Sequence, residues 1–224
     1  MKRNRVLSIA VIVVSLVTLT AAPSSCGVGG PTDRSLLTGE PCGPPCWQGL
    51  VPGVSSEEEV LEYAASSHHL AGYHRDTSAG RSVIQWQTPC SVTQRVDNFL
   101  LIRDDVLNVI MVCLDYDLTL GQLLERYGPP EKFRANWKGG SSIDAEVILF
   151  HPGLGLTSRL ELKPSDGGYE LRPESKVMRV WYFAPTSLDG LFDLAGWIPF
   201  PDKREHAEIV LQDWQGYGFI ELVP

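Results

Sequence analysis

The side chains able to do chemistry in this chain are five cysteines, five histidines and a few paired carboxylates. His68, His69 and His74 crowd around Tyr73. Their spacing is not the His-x-x-x-His of a helical zinc pair, and no carboxylate lies inside the cluster, so it reads as a surface loop. Asp104-Asp105 and Asp115-x-Asp117 are carboxylate pairs expected in turns, where Asp bonds its own backbone. Neither is followed by the spacing of an EF-hand. Gly153-Leu154-Gly155 lacks the third glycine and the strand-to-helix setting of a nucleotide loop and is expected to connect strands. A Gly-x-Ser-x-Gly elbow is absent from the sequence. No catalytic, cofactor-binding or metal-binding residue is assigned, and the expected class is not an enzyme. The alternative is an enzyme whose site is assembled from distant residues such as His68, His151 and His206.

The cysteines carry more information. Cys26, Cys42, Cys46, Cys90 and Cys113 are an odd set, which leaves one thiol to explain in an oxidising compartment. Gly43-Pro44-Pro45 can turn the chain so that Cys42 bridges Cys46, and Cys90 with Cys113 would then close a longer loop. That longer bridge is worth roughly 3 kcal/mol in the chain-entropy picture. The three possible pairings of these four stay open on sequence alone. A thiol redox centre at Cys42 and Cys46 is the other reading. Such motifs place two residues between the cysteines and open a helix in a βαβ unit, whereas here there are three.

Lys2, Arg3 and Arg5 precede an apolar run from Val6 to Ala22, followed by small residues and Cys26. A charged start, an apolar stretch and a small-residue exit read as a signal peptide over residues 1–25. Small residues before a cysteine resemble a bacterial lipoprotein processing site, which implies that Cys26 is lipidated and becomes the N-terminus. Pro23 stands where that pattern has a Leu-like residue, so a secretory cut after Ser24 stays open. Val6 to Ala22 is at the short edge of a membrane span. Lipidation of Cys26 would leave four cysteines for disulfides. The expected location is extracytoplasmic, anchored to the membrane, with a secreted form as the alternative.

Net charge is −8, and the leader holds three positive and no negative groups. No basic cluster is left to follow a phosphate backbone, which argues against a nucleic-acid partner. Residues 26–46 are rich in Gly and Pro and read as a lipid-anchored tether.

The elements beyond it read as one unit given twice, over 47–116 and 117–183. Ser55 with Glu58 suggests a capping box, and Val60, Leu61, Ala64 and Ala65 an apolar helix face. Strands are expected at Ser82–Gln87, Asn98–Ile102 and Val106–Cys113, the last two joined at Arg103-Asp104-Asp105. Thr119 and Gln122 form the second box, Leu118 and Leu123 the hydrophobic staple, and Tyr127-Gly128-Pro129-Pro130 the stop. Strands follow at Ala145–Phe150, Leu156–Leu162 and Lys176–Phe183. Arg159, Glu161 and Lys163 alternate with Leu160 and Leu162 as in a strand wetted on one side. The expected fold is α+β, two tandem helix-plus-three-strand modules with mostly antiparallel sheet and a C-terminal helical segment. Leu61, Trp86, Leu100, Ile110, Leu123, Ile148 and Leu160 should be buried, and Glu57 and Arg159 solvated. Trp47 and Trp86 are the tryptophans to test first for a binding face.

A capped helix with a Gly-Pro stop, followed by an antiparallel meander and given twice, resembles small outer-membrane assembly lipoproteins of the BamE type and β-lactamase inhibitory protein. Pro45-Cys46-Trp47-Gln48-Gly49-Leu50-Val51-Pro52-Gly53, just after a lipoprotein-like leader, also resembles a group of uncharacterised bacterial lipoproteins. The resemblance covers about residues 45 to 183. It implies a binding or scaffold module with an envelope protein as partner, and no cofactor. Residues 184–224 hold helix candidates at Leu188–Ala195 and Glu205–Trp214, expected to cover an open sheet face.

Overall fold

The computed structural model describes residues 34–78, 80–88, 97–137 and 144–223. Two strands dominate them: β4, Val106–Thr119, and β9, Lys176–Phe183. They pair antiparallel in the middle of an eight-stranded sheet. On the β4 side lie β3 (Asp97–Arg103), β2 (Arg81–Gln87) and, at the edge, β1 (His74–Ser78). On the β9 side lie β7 (Leu156–Leu162), β6 (Ala145–His151) and the other edge, β5 (Lys132–Trp137). Every pairing within this sheet is antiparallel. β8 (Tyr169–Leu171) and β10 (Gly218–Ile220) form a separate two-stranded ribbon.

This overturns the two-module expectation. Directly opposed residues share a face, and one such row runs Ile84, Leu100, Ile110, Tyr182, Leu156 and His151. All six are buried, and the row crosses from β2 to β6 without a break. The fold is one sheet-dominated body, with four strands rather than three on each side of its centre. β1 escaped the sequence pattern because His-Arg-Asp-Thr-Ser has no apolar side and is exposed throughout. β5 escaped because only Phe133 and Ala135 mark its buried side.

Two capped helices cover one face. α2 (Glu57–Ser66) begins one residue later than the sequence suggests: Ser56 and Glu59, not Ser55 and Glu58, form the box. The Ser55 hydroxyl is already engaged, accepting from the Val51 N–H at 3.0 Å. α3 (Leu120–Tyr127) carries the Thr119–Gln122 box and stops at Gly128, as its pattern predicts. Trp47 and Trp86 are not on a binding face. They stack beneath α2, ring centres 5.7 Å apart, and only 2% and 3% of their surfaces are exposed. Leu61 is half-buried rather than buried. Glu57 is half-buried too, held by Arg75 of the edge strand.

The expected tether is already docked at residue 34. α1 (Ser35–Thr38) buries Leu36. The Arg126 guanidinium of α3 donates to the carbonyls of Leu37 and Thr38 at 2.6 and 2.7 Å. Cys42 and Cys46 form a disulfide, Cα atoms 5.7 Å apart. At the other end, Leu188–Ala195 makes a 3₁₀ turn over Asp189–Leu194. Leu191, Ile198 and Phe200 cover the second face of the sheet. α4 (Arg204–Val210) stops short of Trp214, because Gln212 leaves the helix to exchange backbone hydrogen bonds with Phe133 on the β5 edge. That covers an edge otherwise open to another strand.

A single body unfolds as a unit. Ile110→Ala, in the central row, should cost about 2–5 kcal/mol. Urea unfolding should then show one transition, superimposable by circular dichroism and tryptophan fluorescence. Two resolved transitions would restore the two-module picture.

Candidate functional site

The face covered by residues 188–200 is apolar at one end and charged at the other. Toward the loops after β6 and β9, Phe150, Trp181 and Phe183 pack with Leu191, Ile198 and Phe200. One step along the strands, a second opposed row reads Cys113, Arg179, Arg159, Ile148 and Arg134. Glu146 and Glu161 oppose each other in the next row.

A break in register places these arginines. Arg159 pairs with Arg179 and Leu160 with Val177, so Met178 is extra on β9. Strand side chains alternate, and one extra residue reverses the parity. Val177 therefore faces the helices, fully buried, while Arg179 faces the other way. In an unbroken strand, residues two apart would share a face.

Arg159 is not solvated, contrary to its strand pattern. Only 15% of its side chain is exposed, with Glu146 Oε1 at 2.7 Å and Glu161 Oε1 at 3.1 Å. Long neighbouring side chains lie across the sheet and replace water. Arg134 is served less well, its nearest carboxylate oxygen, on Glu146, being 3.8 Å away. Arg179 makes neither a salt bridge nor a hydrogen bond among the described residues, and its buried Nε has no partner. It lies 5.7 Å from the centre of the Trp181 ring. Burial and the adjacent Arg159 charge push the Arg179 guanidinium down to about 10, partly offset by Glu146 and Glu161. Burial lowers Arg134 as well.

Beside this row runs a groove of about 480 Å³. Its floor holds Arg134, Arg179, Trp181, Met111 and Phe99, and its wall is the segment Gly196–Asp202, with His206 of α4 at one end. Phe99 meets Trp197 edge to face, ring centres 6.1 Å apart. The guanidiniums of Arg81 and Arg103 lie 5.5 and 5.4 Å from the centre of the Trp197 ring and help to hold that wall.

The histidines singled out as an alternative constellation are not brought together. His206 lines the groove, whereas the buried His151 belongs to the helix-side row, its Nε2 3.2 Å from the Gly128 carbonyl. His68 and His74 are exposed. Among the described residues no three His, Cys, Asp or Glu gather as a metal site. Asp104 and Asp105 do form the β3–β4 turn, both at positive φ, as a two-residue hairpin loop requires. Asp115 and Asp117 lie in strand β4, not in a turn. Gly153 and Gly155 connect β6 to β7. A Cβ at Gly155 would meet the Phe183 carbonyl oxygen at 2.0 Å.

Cys26 and Cys90 lie outside the described residues. Cys113 is disulfide-bonded, with its partner also outside them. Sequence pattern did not reveal Arg134, Arg179, Trp181 or Trp197. A single arginine inside the apolar strand β9 was the available sign for Arg179, while nothing local marked Arg134, and only register shows that they align. Comparison with protein-family models, curated proteins and solved structures finds no match for this chain.

Two outcomes follow from these environments. Glu146→Gln should destabilise by about 1–3 kcal/mol, because it strands a half-buried guanidinium. Asp189→Asn, which breaks only the exposed pair with Arg204, should stay within about 0.5 kcal/mol. Equal losses in urea titrations would show that the Arg159 pairing contributes nothing special.

His151 gives a pH dependence. Burial holds its imidazole below the ordinary value, and its buried Nδ1 has no hydrogen-bond partner among the described residues. The unfolded chain binds that proton first, so the stability from a neutral His151 is intact above about pH 6.5 and declines below it. From pH 7.5 to 5.5 this group should cost at most about 1.4 kcal/mol. His151→Gln should remove that part of the slope, and an unchanged slope would refute the assignment.

Proposed function

We propose that this protein is an extracytoplasmic lipoprotein, held at the membrane by lipidated Cys26, that acts as a binding or scaffold module for another envelope protein. The observation that carries the binding part is the groove beside Gly196–Asp202. Its floor stands on paired strands, its wall carries Trp197 and Phe200, and the buried Nε atoms of Arg134 and Arg179 have no hydrogen-bond partner among the described residues. Sites carried on regular elements hold geometry better than sites on loops.

The anchor and the groove are compatible. α1, which leads back toward Cys26, packs against α3 on one side of the sheet, and the groove opens on the other. The Cys42–Cys46 disulfide supports an oxidising compartment. Among the described residues no helix is long and apolar enough to cross a membrane. The leader and the odd cysteine count support lipidation at Cys26. The resemblance to assembly lipoproteins supports a protein partner.

Cys26→Ser should move the protein from the detergent phase to the aqueous phase in detergent partitioning. Retention in the detergent phase would sink the lipid anchor. For the groove, a photo-reactive amino acid at Trp197 should give a protein adduct in intact membranes. The same group at Val54, which is 75% exposed and away from the groove, should give none. Equal adducts at the two sites, or none at Trp197, would remove the groove from the reading.

A further inference from the structure

We infer that the groove takes an extended peptide segment of the partner, one that sets an acidic side chain beside an aromatic or large apolar one. This deepens the reading above and rests on it. Length selects a peptide. The groove is lined from Phe99 on β3 to Arg134 on β5, and those strands are five neighbour steps apart in the sheet. At roughly 4.8 Å per step that is ~24 Å, the span of about seven extended residues and longer than a compact small molecule.

Charge selects the acidic residue. Arg134, Arg179 and His206 line the groove against Asp202 alone, in a protein whose net charge is −8. Behind them Glu146 and Glu161 are engaged by Arg159 at 2.7 and 3.1 Å. Among the described residues, that leaves Arg179 as the groove guanidinium with neither ion pair nor hydrogen bond, and Arg134 with its nearest carboxylate at 3.8 Å. A planar guanidinium with free N–H groups matches a carboxylate in two-point geometry. The carboxylate would supply the hydrogen bonds that the half-buried Arg179 lacks.

The walls select the neighbouring residue. The half-buried rings of Phe99 and Trp197 line the same groove beside the nearly buried Trp181 and Phe200, and Pro199 and Pro201 add apolar surface. An aromatic or large aliphatic side chain next to the carboxylate would occupy that surface while the acid reaches Arg179. Such a peptide uses both halves of the groove at once.

The test is selection from a random heptapeptide display library against the full, unlipidated Cys26→Ser chain. Enriched sequences should pair Asp or Glu with Phe, Trp, Leu or Met. The Arg134→Met, Arg179→Met double variant should lose that acidic enrichment at least tenfold. Its melting temperature should be unchanged or higher, since the exchange removes two poorly paired charges. Arg179→Lys keeps the charge but loses the planar fork, and should fall between the two. Enrichment of neutral or basic peptides, no enrichment, or acidic enrichment that survives in the double variant would overturn the inference. Saturable binding of 2-naphthoate without any peptide enrichment would also overturn it, in favour of a small-molecule site. Adducts at Trp197 in membranes alongside any of these failures would leave the binding module standing and remove only its ligand class.

Discussion

The antiparallel pairing of β4 with β9 is the contact on which the other layers depend. From Val109 to Leu114 every residue of β4 is buried, on both faces of the sheet. Removing that joint would expose the Ile110–Tyr182 row beneath the helices and the Met111–Trp181 row beneath the C-terminal segment together. Burial at about 25 cal/mol per Å² of apolar surface makes such a double-sided strand the steepest part of the energy balance. The helices and the C-terminal cover are then two separate answers to one problem, a twisted sheet that needs both faces covered.

How much of this was legible follows from what makes a pattern local. Thr119 with Gln122, and Gly128 after Tyr127, are signals within a few residues, and α3 lies where they put it. The strands at 156–162 and 176–183 were equally plain, because alternation or a long apolar run needs no partner to be seen. β1 and β5 were hidden because an edge strand can be held by backbone bonds alone, leaving its side chains free to be polar. The joining of the halves was hidden for another reason. It depends on which of two apolar strands lies beside β4, and strand periodicity is silent about neighbours. The Ser55-to-Ser56 shift was a local misreading, since two adjacent serines offered alternative caps and a turn claimed the first.

The candidate site was the least legible part. Arg159 sits in a clean alternation with Leu160 and Leu162, and alternation alone says that its side faces water. The structure covers the apolar end of that face with residues 188–200 and the charged end with other long side chains, so the polar positions became half-buried without ceasing to alternate. The parity reversal at Met178 is invisible in composition, yet it decides that Arg179 belongs with Arg159 rather than with Val177.

That same reversal explains why a poorly satisfied arginine can persist on a central strand. Turning Arg179 toward the helices would bury a guanidinium beneath α2 and α3 among apolar side chains, at a cost of several kcal/mol. Turned toward the groove, it keeps partial access to water, faces the Trp181 ring and shares the field of Glu146 and Glu161. The residual cost is incomplete solvation beside a like charge, Arg159, and it lowers the proton affinity of Arg179. It is tolerable because β9 is fixed by β4 on one side and β7 on the other. An edge strand bearing the same residue could slip or fray to release it. A central strand, paired on both sides, is therefore able to hold a cation at a groove in advance of any ligand, so the ordering cost has been met before binding begins.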